Sequence, residues 1–129
     1  MDLLLDTHTF LWYAGGKLEL SQKARELIED ERNRKWMSVA SPWEIAIKVS
    51  TGKGIQLHVP FEELFPGQVL LNGFDFLTLR WERLQRVATL PLHHRDPFDR
   101  LIIAQGLVEN MAVVSADAAF DAYGVSRLW

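Results

Sequence analysis

The sequence predicts an α/β fold: one domain over residues 1–129, built on a mostly parallel sheet of four to five short strands flanked by helices. Three observations predict it. Short apolar runs alternate with longer segments of helical character along the whole chain. Hairpin signals between the runs are absent, so successive strands need crossover connections and lie parallel. Two of the runs end in aspartate, Asp6 and Asp117. In open parallel sheets, sites form beyond the carboxyl ends of the strands.

Each element has a local reason. "LLLD" (3–6) is an apolar run closed by an acid and reads as a buried strand. "THTFLWYAGG" (7–16) starts a helix at Thr7 and stops it at Gly15-Gly16. "SQKARELIEDERNR" (21–34) is a helix with Ser21 as N-cap and a charged outer face, followed by the strand "KWMSVA" (35–40). "SPWEIAIKVSTGKG" (41–54) has Ser41 at the N-cap, Pro42 at the first helical position and glycine as terminator. "PFEELFPGQVLLNG" (60–73) is helical in pieces broken at Pro66 and Gly67. "DFLTL" (75–79) is a strand and "RWERLQRVATL" (80–90) a helix. "DPFDRLIIAQGLVEN" (96–110) is a helix with Pro97 at its first position, and "AVVSAD" (112–117) is a strand ending in an acid. The turn "AAFDAYG" and a last strand "SRLW" (126–129) follow.

Composition narrows the classes. Apolar residues make up 48%, enough for a real core, and the charged share of 24% argues against disorder. No apolar run approaches the ~18 residues a membrane span needs. The start lacks a basic region and breaks its apolar run with Asp6 and His8, unlike a secretion signal. There are no cysteines, which excludes disulfides, thiolate zinc sites and cysteine nucleophiles and fits a cytoplasmic protein. The net charge of -3 advertises no general electrostatic grip on nucleic acid and by itself favours a protein or small-molecule partner. It is still compatible with a nuclease whose acids hold a metal.

Of the seventeen acids, most lie on helix faces, loops or turns beside Lys, Arg or solvent. Five do not. Asp6 follows three leucines, and Asp117 follows Val113-Val114-Ser115-Ala116; each could simply cap the next turn. Glu44 fits the capping box S-x-x-E with Ser41, and Lys48 one turn later could pair with it. Yet its helix is apolar over much of its circumference, which places Glu44 at the edge of the buried face. Asp96 is an N-cap by every local sign. Asp99 points into the arc between Ile102 and Ile103, where an ionised carboxylate is costly unless paired or metal-bound. Gly106 lies nearly beneath it and can let another element approach closely. Strand ends and first helical turns can meet at one edge of an α/β sheet. Carboxylates converging there would raise one another's pKa values unless a hard divalent cation neutralised them. Mg²⁺ or Mn²⁺ suits an all-oxygen set, and such a site suits phosphodiester hydrolysis.

At these residues the chain resembles the PIN-domain family, and within it the VapC-type toxins of bacterial toxin–antitoxin pairs. "LLLDTHTFLW", "SVASPWEIAIKVSTGK", "LPLHHRDPFDRLIIAQGL" and "VVSADAAFDAYGV" carry the resemblance, in family order, over nearly the whole chain. It implies a Mg²⁺- or Mn²⁺-dependent endoribonuclease in which a metal-activated water attacks RNA and leaves 5′-phosphate and 3′-hydroxyl ends. Its catalytic and metal-site roles fall on Asp6, Glu44, Asp99 and Asp117. Ser115 is the hydroxyl that orients Asp117, and Asp96 is a supporting acid. The implied partners are an RNA substrate, a cognate antitoxin and a second copy in a homodimer, with no membrane. Arg95, Arg100, Lys48 and Lys53 lie near the acids in sequence and are candidates for phosphate binding, with surface charge or ion pairing as the plainer reading.

Other features carry less. His93-His94 reads as a polar loop lead-in before a metal ligand or general acid, and His8 as a hydrogen-bonding neighbour of Asp6. "TGKG" (51–54) lacks the spacing of a phosphate-binding loop. Trp12, Trp43 and Trp81 read as core or interface residues before base-stacking platforms. A receiver-like domain would want adjacent acids after the first strand, and a haloacid-dehalogenase-type phosphatase would want D-x-D where His8 stands. A non-catalytic PIN-like binding module is the remaining alternative.

Overall fold

The computed structural model describes all 129 residues. Five strands form one sheet: β1 (Asp2–Leu5), β2 (Arg34–Ser38), β3 (Asp75–Leu77), β4 (Ala112–Val114) and β5 (Arg127–Leu128). Their spatial order is β3-β2-β1-β4-β5, and every neighbouring pair is parallel. The helices are α1 (Thr7–Ala14), α2 (Gln22–Glu29), α3 (Ala40–Thr51), α4 (Val69–Leu71), α5 (Trp81–Thr89) and α6 (Pro97–Glu109), with a 3-10 helix over Ala118–Tyr123. No helix is long and apolar enough to cross a membrane.

The leucine run explains why β1 is central. Successive side chains of a strand point to opposite faces, and a strand buried on both faces reads as continuously apolar. Leu3 and Leu5 pack with Phe10, Ala24, Ile28 and Ile45 in one core, while Leu4 packs with Ile102, Ile103 and Phe120 in the other. All three leucines are fully buried. Gly106 is where α6 crosses closest to β4. A Cβ there would lie 2.9 Å from Val113 Cγ2, so the expected close approach is present.

Element ends differ from the sequence expectation by one to several residues, and the clearest cases have a visible cause. The helix expected over 21–34 stops at Glu29, because Asp30 leaves the helical region and Asn33 Nδ2 donates to the Leu27 carbonyl, satisfying one helix-end acceptor. Arg34 then opens β2. The helix expected from Ser41 starts at Ala40, whose amide donates to Ser38 Oγ. The 60–73 stretch is broken as expected: irregular helical turns over Glu63–Gln68 contain a non-helical Phe65 before α4 begins.

Candidate metal centre

Strand register builds the first part of the site. Leu5 of β1 pairs with Val114 of β4, so the next residues, Asp6 and Ser115, stand side by side at the carboxyl edge. Ser115 Oγ donates to Asp6 Oδ2 at 2.5 Å and accepts from the Asp117 amide at 3.0 Å. Asp6 Oδ1 caps α1 by accepting from the Thr9 amide at 2.9 Å. Thr9 is tied back in turn through Oγ1 to the Val114 carbonyl. Ser115, expected to orient Asp117, meets it at the main-chain amide and gives its own proton to the Asp6 carboxylate. Asp6 is 7% exposed, and burial pushes its pKa upward against the hydrogen bonds from Ser115 and Thr9.

Asp117 caps the 3-10 helix through Oδ1, which accepts from the Ala119 amide at 2.9 Å. Its Oδ2 lies 3.2 Å from His94 Nε2, and Asp99 Oδ2 lies at the same distance from that atom. His94 is a component of the site that the sequence reading placed in a loop lead-in. Its Nδ1 accepts from the Asp96 amide at 3.1 Å. A neutral imidazole that accepts at Nδ1 carries its proton on Nε2, so His94 donates to Asp117 Oδ2, and Asp99 Oδ2 is a close electrostatic neighbour of the same atom. A metal-ligating histidine has the opposite arrangement and donates its second N–H outward. His94 Nε2 and one oxygen each of Asp99 and Asp117 lie within 4.8 Å of one another. Within that group the carboxylates are the fitting ligands and His94 is the hydrogen-bonding neighbour of Asp117.

Asp96 does what its position predicts. Its Oδ1 accepts from the Phe98 and Asp99 amides at 2.8 and 3.1 Å, capping α6. Glu44 does not. The capping box with Ser41 is absent, because Ser41 lies inside α3 and its hydroxyl bonds to Thr7 Oγ1 at 2.8 Å. Thr7 Oγ1 donates to Glu44 Oε1 at 2.9 Å, and Lys48 Nζ donates to Oε2 at 2.7 Å. Glu44 is 3% exposed, deeper than the expected edge position. The apolar side chains Trp43, Ile47 and Val49 of the same helix are exposed instead.

Asp6, Asp99 and Asp117 open into one cavity of about 380 Å³, shared with His8, Trp12, His94 and Ala116. Glu44 does not line it. Asp99 has its pKa pushed up to about 7, by burial first, then by the charges of Asp96 and Asp6, with Glu44 adding to it and His94 opposing it. No lysine or arginine is ion-paired with the three cavity acids; His94 is the basic side chain that reaches two of them. A larger cleft of about 560 Å³, lined by Leu79 to Glu82 and Leu84, carries no such cluster.

The four basic candidates are dispersed. Lys48 is engaged with Glu44. The Arg100 guanidinium donates to the carbonyls of Pro91, Val87 and Leu90 and to Tyr123 Oη. Arg95 and Lys53 are exposed. Trp43 and Trp81, 61% and 77% exposed, are not core residues. Trp12 is half-buried, packed on the core and lining the acidic cavity.

A family model described as PIN domain matches residues 3–125. No curated protein matches significantly. Among solved structures, the chain is similar to VapBC2 from Rickettsia felis bound to a DNA fragment from its promoter, with 14% identity and a TM-score of 0.70 over 99% of this chain and 98% of that one. It is similar to FitAB bound to the IR36 DNA fragment, with 16% identity, a TM-score of 0.67, and 98% and 93% covered. It is also similar to VapBC-5 of Mycobacterium tuberculosis, a member of the VapBC family of toxin–antitoxin systems, with 19% identity, a TM-score of 0.61, and 98% and 95% covered. At these identities the likeness establishes the fold.

Proposed function

The chain belongs to the PIN-domain family, and from that premise we propose that it is a Mg²⁺- or Mn²⁺-dependent endoribonuclease, the toxin of a toxin–antitoxin pair. The observation that carries the reading is the shared cavity: Asp6, Asp99 and Asp117 face it together, and no lysine or arginine neutralises them. Three carboxylates in that position fit a hard divalent cation, which takes oxygen ligands. Asp6, Asp99 and Asp117 would hold it. When bound, such an ion polarises a phosphoryl oxygen and lowers the pKa of water at neutral pH.

The protein's own groups prepare that chemistry. Ser115 and the Thr9 amide fix both oxygens of Asp6. His94 holds the facing oxygen of Asp117 with its N–H and stands against that of Asp99, and Asp96 fixes the first turn that carries Asp99. Glu44 is the fourth acid. It acts on the site through its charge, and Lys48 must leave Oε2 before that oxygen can face a ligand. Exposed Arg95 and Lys53 are the basic groups free to meet phosphate. The partners assigned here are RNA, a cognate antitoxin and a second copy of the chain, in the cytoplasm. The exposed Trp43, Ile47 and Val49 on α3 offer the second copy an apolar face.

The test is incubation of total RNA with Mg²⁺ and the wild type, Asp6→Asn or Asp99→Asn. Cleavage by the wild type, lost in both variants and in excess EDTA, is expected. Equal cleavage by all three rejects the assigned site, and cleavage that survives EDTA rejects the metal.

A further inference from the structure

The acidic cavity has a second wall. His8 and Trp12 lie four residues apart on α1, so they share one helix face. Their rings are 5.8 Å apart, and both line the cavity with Asp6, Asp99 and Asp117. Trp12 is braced from another side by Trp129, with ring centroids 5.8 Å apart, and by the core beneath it. The ring is therefore held in place while part of it stays in contact with solvent beside the acids. Tryptophan is rarely buried completely; what distinguishes Trp12 is that it lines the cavity the three acids share.

The charge inventory says what such a wall is for. Affinity for nucleic acid ordinarily comes from lysine and arginine on phosphates. Here the net charge is -3, Lys48 is paired with Glu44, and Arg100 is spent on carbonyls and a phenol. Of the four basic candidates that leaves the exposed Arg95 and Lys53 to meet phosphate, a small cationic share beside three carboxylates, so attraction from a second source would add to theirs. Stacking of a base on an aromatic ring supplies it without charge, and its removal by alanine substitution costs roughly tenfold or more in affinity per base. Stacking on a protein ring requires a base free of its neighbours, as in single strands and loops.

Resting on the nuclease reading, we propose that Trp12, flanked by His8, is a nucleobase-stacking wall. It holds the base beside the phosphate to be cut, so the substrate enters as unpaired RNA. The wall is sequence-tolerant and favours purines, whose larger rings stack more strongly.

The experiment uses labelled decaadenylate, decauridylate and an RNA duplex with the full-length wild type, Trp12→Ala, Trp12→Phe and, as a control remote from the cavity, Trp81→Ala. Fluorescence anisotropy in EDTA reads affinity without cleavage, and cleavage kinetics in Mg²⁺ read KM and kcat. Trp12→Ala should weaken binding of single strands about tenfold and raise KM by a similar factor, with kcat within about threefold of the wild type. Its preference for adenylate over uridylate should shrink. Trp12→Phe should keep both properties, which separates stacking from a folding defect. Equal affinity and equal base preference in wild type and Trp12→Ala overturn the wall, as does a wild type that binds duplex as well as single strand or binds neither. Loss of cleavage in Asp99→Asn with unchanged affinity in Trp12→Ala sinks the wall alone. Normal cleavage by Asp99→Asn sinks the nuclease site, and the anisotropy arm still decides the wall.

Discussion

Asp99 sits in the first turn of α6 beside buried Ile102 and Ile103, and its pKa moves from 3.8 to about 7 for that reason. The sign of the consequence is fixed. The folded-state value lies above the unfolded one, so the metal-free native state holds the extra proton between these two values and loses stability as pH rises through that interval. Asp99→Asn should therefore melt a few degrees above the wild type at pH 8 without metal and close to it at pH 5, as read by circular dichroism. Excess Mn²⁺ should erase or reverse the difference. Asp99 was legible because an acid between two isoleucines on a helical wheel needs a reason. His94 was not, because the contact that gives it a role, the Asp117 carboxylate at Nε2, lies 23 positions away; the Asp96 amide at Nδ1 is a local contact that looks like any loop turn. Imidazole ¹⁵N NMR of the metal-free protein should find His94 protonated at Nε2 and bare at Nδ1. The opposite tautomer would return it to the list of possible ligands.

At the scale of elements, α6 and α3 show how far patterning reaches. Gly106 sat in the sequence as a helix defect with a candidate purpose, and the purpose is contact with β4. Val113 is fully buried and β-branched, so it cannot easily yield to a new methyl group. Gly106→Ala should cost about 1–3 kcal/mol in urea denaturation despite the better helix propensity of alanine. Combining it with Val113→Ala should recover part of the loss, beyond additivity. The apolar runs placed all five strands; β1 is shifted by one residue and the other four are shorter than the runs that announced them. α3 misleads because its amphipathicity is partly inverted: beside Ala40 and Ile45 it buries Ser41 and Glu44, and it exposes Trp43, Ile47 and Val49. Periodicity alone turns the apolar side inward. Thr7 and Lys48, brought to Glu44 by α1 and the next turn of α3, make the inversion tolerable by satisfying both carboxylate oxygens. Thr7→Val removes a donor to a buried carboxylate and should destabilise the protein by about 1–3 kcal/mol.

On the scale of the whole molecule, parallel topology converts distant sequence into one edge. The ends of β1 and β4 and the start of α6 converge because every strand runs the same way, and three acids arrive there already oriented by caps and a serine. The apolar outer face of α3 gives the molecule a reason to pair. Light scattering should return twice the 14.8 kDa chain mass, and Trp43→Asp should shift the protein toward monomer. The central claim is that these carboxylates share one divalent cation, and titration of the metal-free protein with Mn²⁺, followed by the loss of the free-ion electron paramagnetic resonance signal, tests it most directly. Saturable binding by the wild type is expected, weakened at least about tenfold in each of Asp6→Asn, Asp99→Asn and Asp117→Asn, a change of about 1.4 kcal/mol or more. Binding of unchanged strength in all three variants, or none in the wild type, would contradict it.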